Sequence, residues 1–201
     1  HQGLPYIRES PNIKTMSKNT PVCNFGWKAP DFRLQSITNK TYSLTKVLSD
    51  VNCHAVLVMF ICNHCPYVKA IIDRLVKTCK SLQDNDIGCV AIMPNDTVSY
   101  PADSFENMQD FTKQHDFTFP YLLDEEQQTA KAYGAVCTPD FFGFNAGLSL
   151  QYRGRLDSAG INPPDQATRP ELLDAMMRIS EIGAGPHQQF PSMGCSIKWK
   201  V

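Results

Sequence analysis

Two short apolar runs, Ala55-Val56-Leu57-Val58-Met59-Phe60-Ile61 and Ile87-Gly88-Cys89-Val90-Ala91-Ile92-Met93, constrain the fold of this chain most. Both have strand length and neither alternates with polar residues. Between them, from about Asn63 to Gln83, apolar positions recur at helical spacing. A strand that does not alternate is covered on both faces, so strand, helix and strand in this order predict a parallel βαβ unit. Asp84-Asn85-Asp86 stops the helix, and Pro94-Asn95-Asp96 ends the second strand. The class is α/β.

The flanking segments extend this unit. Residues 29–37 (Ala29-Pro30-Asp31-Phe32-Arg33-Leu34-Gln35-Ser36-Ile37) alternate as a half-buried strand does, and Thr38-Asn39-Lys40 is its turn. Ser43 is placed to cap a short helix running to Asp50. A further helix is expected over 103–116, with Phe105, Met108, Phe111 and Thr112 at helical spacing. An extended piece over 120–124 follows, then a short helix over 126–133 stopped by Gly134. Phe141-Phe142-Gly143-Phe144 and Leu148-Ser149-Leu150-Gln151-Tyr152-Arg153, joined by Asn145-Ala146-Gly147, predict a hairpin. The last helix runs from Pro170 to Ile182 with Gly183 after it. The tail, 184–201, has no clear period.

At 201 residues, without internal repeats or a dividing linker, one domain is expected. It spans 22–201 and includes the tail. Residues 1–21 read as an N-terminal extension, disordered or tag-derived. The chain opens on His, and Met16-Ser17-Lys18-Asn19 offers a candidate start. The opening residues lack the layout of a secretory leader.

Bulk composition removes several functions. Nineteen basic against twenty acidic residues give a net charge of −1, with no basic stripe for nucleic acid and no polybasic membrane segment. Both apolar runs fall far short of the ~18–20 residues of a membrane span. Eight cysteines match a disulfide framework by number but not by spacing. Cys53, Cys79 and Cys89 sit in or beside apolar segments, as small buried hydrophobes do. That favours a reducing compartment, the cytoplasm, unless a removed leader sent the chain to the periplasm.

Cys62-Asn63-His64-Cys65-Pro66 carries the chemistry. A buried strand ends at this dithiol and a helix begins there. Backbone N–H groups and the helix dipole at that point favour a thiolate, the form that attacks disulfides. Cys62 is the candidate nucleophile, expected to be the more exposed sulfur with a pKa below an ordinary thiol's. Cys65 is the resolving thiol. The helix end is worth roughly 0.3–1 kcal/mol to an exposed anion, so a larger effect needs help, which His64 can give by charge or hydrogen bond. Lys69 adds positive potential or is a solvated surface charge. Pro66 fits the first helical turn, where a missing N–H is tolerated.

These residues resemble the redoxin branch of the thioredoxin-fold proteins, with its AhpC/TSA-like and TlpA-like members. The resemblance is carried by Ala29-Pro30-Asp31-Phe32-x-Leu34, Tyr42-Ser43-Leu44, the strand–dithiol–helix and Thr138-Pro139. Bacterial thioredoxin-family proteins share further features: Cys-x-His-Cys-Pro-Tyr-Val-Lys, Tyr-Pro-x-Asp-Ser (100–104) and a terminal Gly-Cys-Ser-Ile-Lys-Trp (194–199). The resemblance spans about residues 22–199. It implies a thioredoxin-like three-layer α/β/α sandwich with a mixed central sheet and a redoxin-type insertion. It also implies thiol–disulfide exchange at Cys62 and Cys65, with no cofactor, and a cis-proline at Pro139 beside them. Thr138 and Cys137 would then face the substrate, a protein or small-molecule disulfide or thiol.

Other readings stand beside this one. Half a zinc site would need a second Cys-x-x-Cys or a His pair at matching spacing; His54, His115 and His187 are scattered, so no metal is expected. An antioxidant thiol peroxidase would place Thr or Ser three residues before its cysteine. Met59 stands there for Cys62, and Cys62 stands there for Cys65. A binding module with a redox-sensing clasp would not require both sulfurs. Cys137 is an accessory redox cysteine or a packing residue, and Cys195 an extra partner or a structural residue. Trp199 is expected to dock the tail on the core.

Overall fold

The computed structural model describes residues 17–49 and 53–201. In chain order its strands are β1 (Ser17–Asn19), β2 (Arg33–Ser36), β3 (Thr41–Ser43), β4 (Ala55–Phe60), β5 (Gly88–Met93), β6 (Tyr121–Leu123), β7 (Cys137–Thr138), β8 (Asp140–Asn145), β9 (Leu150–Tyr152) and β10 (Met193–Ser196). The helices are α1 (Leu44–Ser49), α2 (Pro66–Lys69), α3 (Ile72–Asp84), α4 (Phe105–Gln114), α5 (Gln128–Tyr133) and α6 (Glu171–Ile182).

The two apolar runs become β4 and β5, the middle of a seven-stranded sheet ordered β3-β2-β6-β5-β4-β8-β9. They pair in parallel, Val56 opposite Gly88 through Phe60 opposite Ile92, and every residue of both is buried. β8 closes antiparallel on the other side of β4, so the sheet is mixed. The pleat sends successive side chains to opposite faces. Ala55, Leu57 and Met59 pack with Leu75 and Cys79 of α3 and Met176 and Ile179 of α6. Val56, Val58 and Phe60 pack with Leu44 and Val47 of α1 and Ala130 and Tyr133 of α5. This is the thioredoxin-like α/β/α sandwich. Among the described residues, no helix is long and apolar enough to cross a membrane.

Five expectations change. The strand expected over 29–37 narrows to β2. Pro30 offers no N–H, and the Asp31 carboxylate accepts the Phe32 and Leu44 N–H groups and the Thr45 hydroxyl, tying that stretch to the start of α1 instead of a ladder. The helix expected over 63–83 starts at Pro66 and breaks at Ala70–Ile71. There Arg74 Nη1 takes up the Ala70 carbonyl, 3.3 Å away. The tail contains a strand, β10, which lies between β1 and β7 in a small antiparallel sheet. The expected 1–21 extension falls largely on residues 1–16, outside the described residues, and its Ser17–Asn19 part is β1.

Trp199 is not the tail's anchor. It is 37% exposed, with Lys131 Nζ 5.7 Å from its ring centroid. Ile197 is the buried side chain, and the backbone of Lys198 is held by the Asn95 and Gln127 side chains.

Candidate active site

β4 ends at Phe60 and delivers Cys62-Asn63-His64-Cys65 to the carboxyl edge of the sheet, in front of α2. Cys65, not Cys62, is the residue that immediately precedes α2. The Thr138–Pro139 peptide is cis, the geometry the resemblance implies. It comes against the dithiol from β7–β8. Thr138 Oγ1 lies 3.4 Å from Cys62 Sγ, and the Thr138 carbonyl oxygen 3.3 Å from Cys65 Sγ.

A third sulfur completes the site. Cys195 of β10 pairs across from Thr138, and its Sγ lies 2.9 Å from Cys65 Sγ. Gly194 makes this approach feasible, because a Cβ there would run into the Thr138 carbonyl. Ser192 Oγ donates to the Pro139 carbonyl at 2.7 Å and fixes the same loop.

Both members of the pair are buried, and charge favours Cys65, where Cys62 is the expected thiolate. Cys62 and Cys65 are each 1% exposed, whereas Cys195 is half-buried, so Cys62 is not the presented sulfur. The Cys65 thiol is driven far below the usual thiol range, first by hydrogen bonding from Cys195 and then from Cys62. The Val68 N–H helps, and burial opposes. The Thr138 carbonyl also favours a protonated Cys65, but two thiol neighbours outweigh one carbonyl. Cys62 is pushed well up, because its proton is held by Cys65, because it is buried and because Asp103 adds negative charge. Cys195 is raised for the first two of these reasons. Of the three sulfurs Cys65, 2.9 Å from Cys195, is the one at which a thiolate is favoured.

The opposite side of the loop is polar. Asp103 is fully buried; its Oδ1 accepts the Asn63 N–H at 2.8 Å and its Oδ2 accepts Asn95 Nδ2 at 3.0 Å. Tyr121 Oη donates to Asn63 Oδ1 at 2.8 Å. His64 Nδ1 lies 2.7 Å from Asp103 Oδ2, a close charge contact without the alignment of a good hydrogen bond. Asp103 raises the His64 pKa, with burial opposing, and so favours imidazolium. The His64 ring lies parallel to Tyr100, centroids 6.3 Å apart.

Among the described residues the one group able to hold a metal ion is Cys62, His64 and Asp103, whose ligand atoms lie within 4.8 Å of one another. That is one ligand short of a closed tetrahedral zinc site, and both Asp103 oxygens already accept hydrogen bonds.

The structure brings Cys62, His64, Cys65, Thr138 and Pro139 together. Cys137 lies on the same loop, behind Thr138. It is fully buried, its Sγ 3.5 Å from the Pro139 carbonyl, and burial raises its pKa. Lys69 is exposed. Asp103 carries no signal of its own in the sequence beyond its place in the Tyr-Pro-x-Asp-Ser segment. The sequence points to Cys195 but not to its contact. A groove of about 1040 Å³ runs along the cis-proline loop, lined by Tyr67, Ile71, Pro139, Phe141, Phe190 and Met193 among others.

Residues 25–155 match the AhpC/TSA family. The chain is similar to an uncharacterized conserved protein from Geobacillus kaustophilus, with 37% identity, a TM-score of 0.83, and coverage of 99% of this chain and 98% of that one. It is also similar to a hypothetical protein from Sinorhizobium meliloti 1021 at 33% identity and a TM-score of 0.80, over 91% and 98% of the two chains. The thioredoxin domain of a thiol-disulfide oxidoreductase from Bacteroides vulgatus shares the fold, at 17% identity and a TM-score of 0.53 over 64% of this chain and 86% of that one. A comparison with curated proteins finds no match.

Proposed function

The chain belongs to the AhpC/TSA family of thioredoxin-fold redoxins, and from that premise we propose that it is a thiol–disulfide oxidoreductase whose redox couple is Cys62–Cys65. The observation that carries this reading is the gathering of Cys62, Cys65 and Cys195 against the cis Thr138–Pro139 loop, where the neighbouring thiols favour a thiolate at Cys65. A thiolate is the attacking species in disulfide exchange. A buried cysteine kept only for packing has its charge suppressed, as burial does at Cys79.

In the reduced protein Cys65 holds the charge and Cys62 the proton. Attack by Cys65 on a disulfide sulfur breaks the S–S bond, releases one thiolate and leaves a mixed disulfide. Cys62 then attacks Cys65 Sγ and expels the second thiolate, closing the Cys62–Cys65 bond. The two leaving thiolates need protons. The Cys62 thiol supplies one, and the His64 imidazolium, held by Asp103, is placed to supply another. The groove lined by Pro139, Tyr67 and Met193 suits an extended, partly apolar peptide running along the cis-proline loop.

Stabilising a thiolate stabilises the reduced form, which moves a couple toward oxidising potentials. The favoured direction is therefore donation of the disulfide to a substrate dithiol. The test follows the Cys62–Cys65 disulfide by peptide mapping while the protein is cycled with oxidised glutathione and then with a reduced protein substrate. The reading expects a disulfide that forms and is passed on. A protein that consumes peroxide rapidly while exchanging no disulfide contradicts it.

A further inference from the structure

The mechanism above leaves a difficulty of access. Both sulfurs of the couple are 1% exposed, and Cys62 has Thr138 against it on one side and Asp103 on the other. The half-buried cysteine of the cluster is Cys195, which makes and breaks no bond in the two-cysteine scheme. Its Sγ–Sγ separation from Cys65 is 2.9 Å against about 2.05 Å for a bond, so closure needs under roughly 1 Å of movement. The position is built into the backbone. Cys195 pairs with Ser17 on one side and Thr138 on the other, at the centre of the three-stranded sheet. Gly194 lets that strand lie on the Thr138 carbonyl. The Asn95 side chain, bonded to Asp103, also accepts the Lys198 N–H, so the tail is tied to both sides of the dithiol loop.

We propose that Cys195 is a third catalytic cysteine, the entry sulfur of a relay that carries disulfides between the outside and the buried Cys62–Cys65 couple. This rests on the reading of Cys62 and Cys65 as that couple and revises which sulfur meets the substrate.

Cys195 passes its proton to Cys65 across their contact and attacks one sulfur of a substrate disulfide R–S–S–R′. The S–S bond breaks, R′S⁻ leaves with the proton from Cys65, and Cys195 is joined to R. Cys65, again a thiolate, attacks Cys195 Sγ and expels RS⁻, which takes the Cys62 proton, and a Cys65–Cys195 disulfide is formed. Cys62 attacks Cys65 Sγ, forms Cys62–Cys65 and frees Cys195 as the thiolate. The substrate gains two electrons and becomes two thiols. Cys62 and Cys65 lose those electrons, and Cys195 returns unchanged after taking a solvent proton. Run backwards, the same steps donate a disulfide to a dithiol.

Oxidised glutathione on the full chain provides the probe. In Cys65→Ser the Cys195 proton goes to solvent instead and the relay stops after its first step, so glutathione should be found on Cys195 and not on Cys62. In Cys62→Ser it stops after the second, so a Cys65–Cys195 disulfide should accumulate. Cys195→Ser should still reach the Cys62–Cys65 disulfide, at least tenfold more slowly. In the wild type, acid quenching at early times should catch the Cys65–Cys195 species before Cys62–Cys65, a measurement that needs no variant to fold. The relay is overturned if glutathione settles on Cys62 in Cys65→Ser and Cys195→Ser reacts at the wild-type rate; the couple then stands. A wild type that forms no Cys62–Cys65 disulfide removes the underlying reading instead.

Discussion

Two groups of sulfurs lie along the α3–β4 unit, one inside the core and one at the carboxyl edge of the sheet, and they behave differently. Cys79 and Cys89 share the apolar core with Met59. Cys79 Sγ is 3.8 Å from Met59 Sδ, and Cys89 Sγ is 4.0 Å from the Cys79 carbonyl. Burial leads the causes that push the Cys79 pKa well up. Cys62 and Cys65, at the carboxyl edge of the sheet, are about as enclosed, with half-buried Cys195 beside them, yet there a thiolate is favoured, at Cys65. The difference is the donors. Cys65 receives two thiols, a backbone N–H and the start of α2, whereas Cys79 faces sulfur and hydrocarbon. Neighbouring sulfurs alone do not make a redox site; a place for the negative charge does.

The largest effect that could break this contrast is a pair of substitutions. Cys65→Ser should abolish disulfide exchange, a loss of at least a hundredfold. Cys79→Ser should leave exchange intact while lowering stability by about 1–3 kcal/mol, the cost of burying an unpaired hydroxyl. Exchange assays with denaturant titrations measure both. If Cys79→Ser loses exchange without loss of stability, the two groups are not distinct.

Gly194→Ala sharpens the comparison next. The added methyl cannot coexist with the Thr138 carbonyl, so β10 must shift and draw Cys195 off Cys65. The Cys65 pKa should rise by about a unit or more, each unit being ~1.4 kcal/mol of lost preference for the thiolate. Alkylation rate against pH reads this directly, and an unchanged profile would mean that Cys195 does not hold the charge.

Asp103→Asn tests the polar flank. The carboxylate is fully buried and accepts from Asn63 and Asn95, so its loss should cost roughly 2–3 kcal/mol, the range for hydrogen bonds to a charged group. Denaturant midpoints would show it. The smallest effect is the pH dependence carried by His64. Its pKa is raised in the folded protein, so its contribution is full below the unfolded value near ~6.5 and is lost as pH rises through the folded value. Cys65 acts in the opposite sense. Its depressed pKa contributes stability above the unfolded thiol value, and this is lost as pH falls. The two separate in the oxidised protein, where Cys65 no longer titrates. There wild type should lose stability relative to His64→Gln as pH rises above neutrality.

Much of the fold was legible because it is local. Period and length identified β4, β5 and α6. Ser43 caps α1 through the Lys46 N–H as its position suggests, and Gly134 and Gly183 end their helices at positive φ. The Asn145-Ala146-Gly147 turn joins β8 to β9 as expected. The dithiol was equally plain. What stayed hidden depends on contacts distant in sequence. β10 is four residues long and includes a glycine, too little for a periodic signal, and only its pairing with β1 and β7 makes it a strand. The charge order followed the same logic. Helix position alone favoured Cys62, and the sulfur that reverses this lies 130 residues beyond Cys65. Asp103 resembled any acidic residue near a helix start until Asn63 and Asn95 closed around it.

Thiolate absorbance in the ultraviolet, followed against pH in the fully reduced protein, tests the central claim most directly. The account predicts one thiolate per chain already present at about pH 5, well below the ~8.5 of a free thiol, and lost in Cys65→Ser but not in Cys79→Ser. Thiolate absorbance that appears only near the free-thiol value, or that survives Cys65→Ser undiminished, would contradict it.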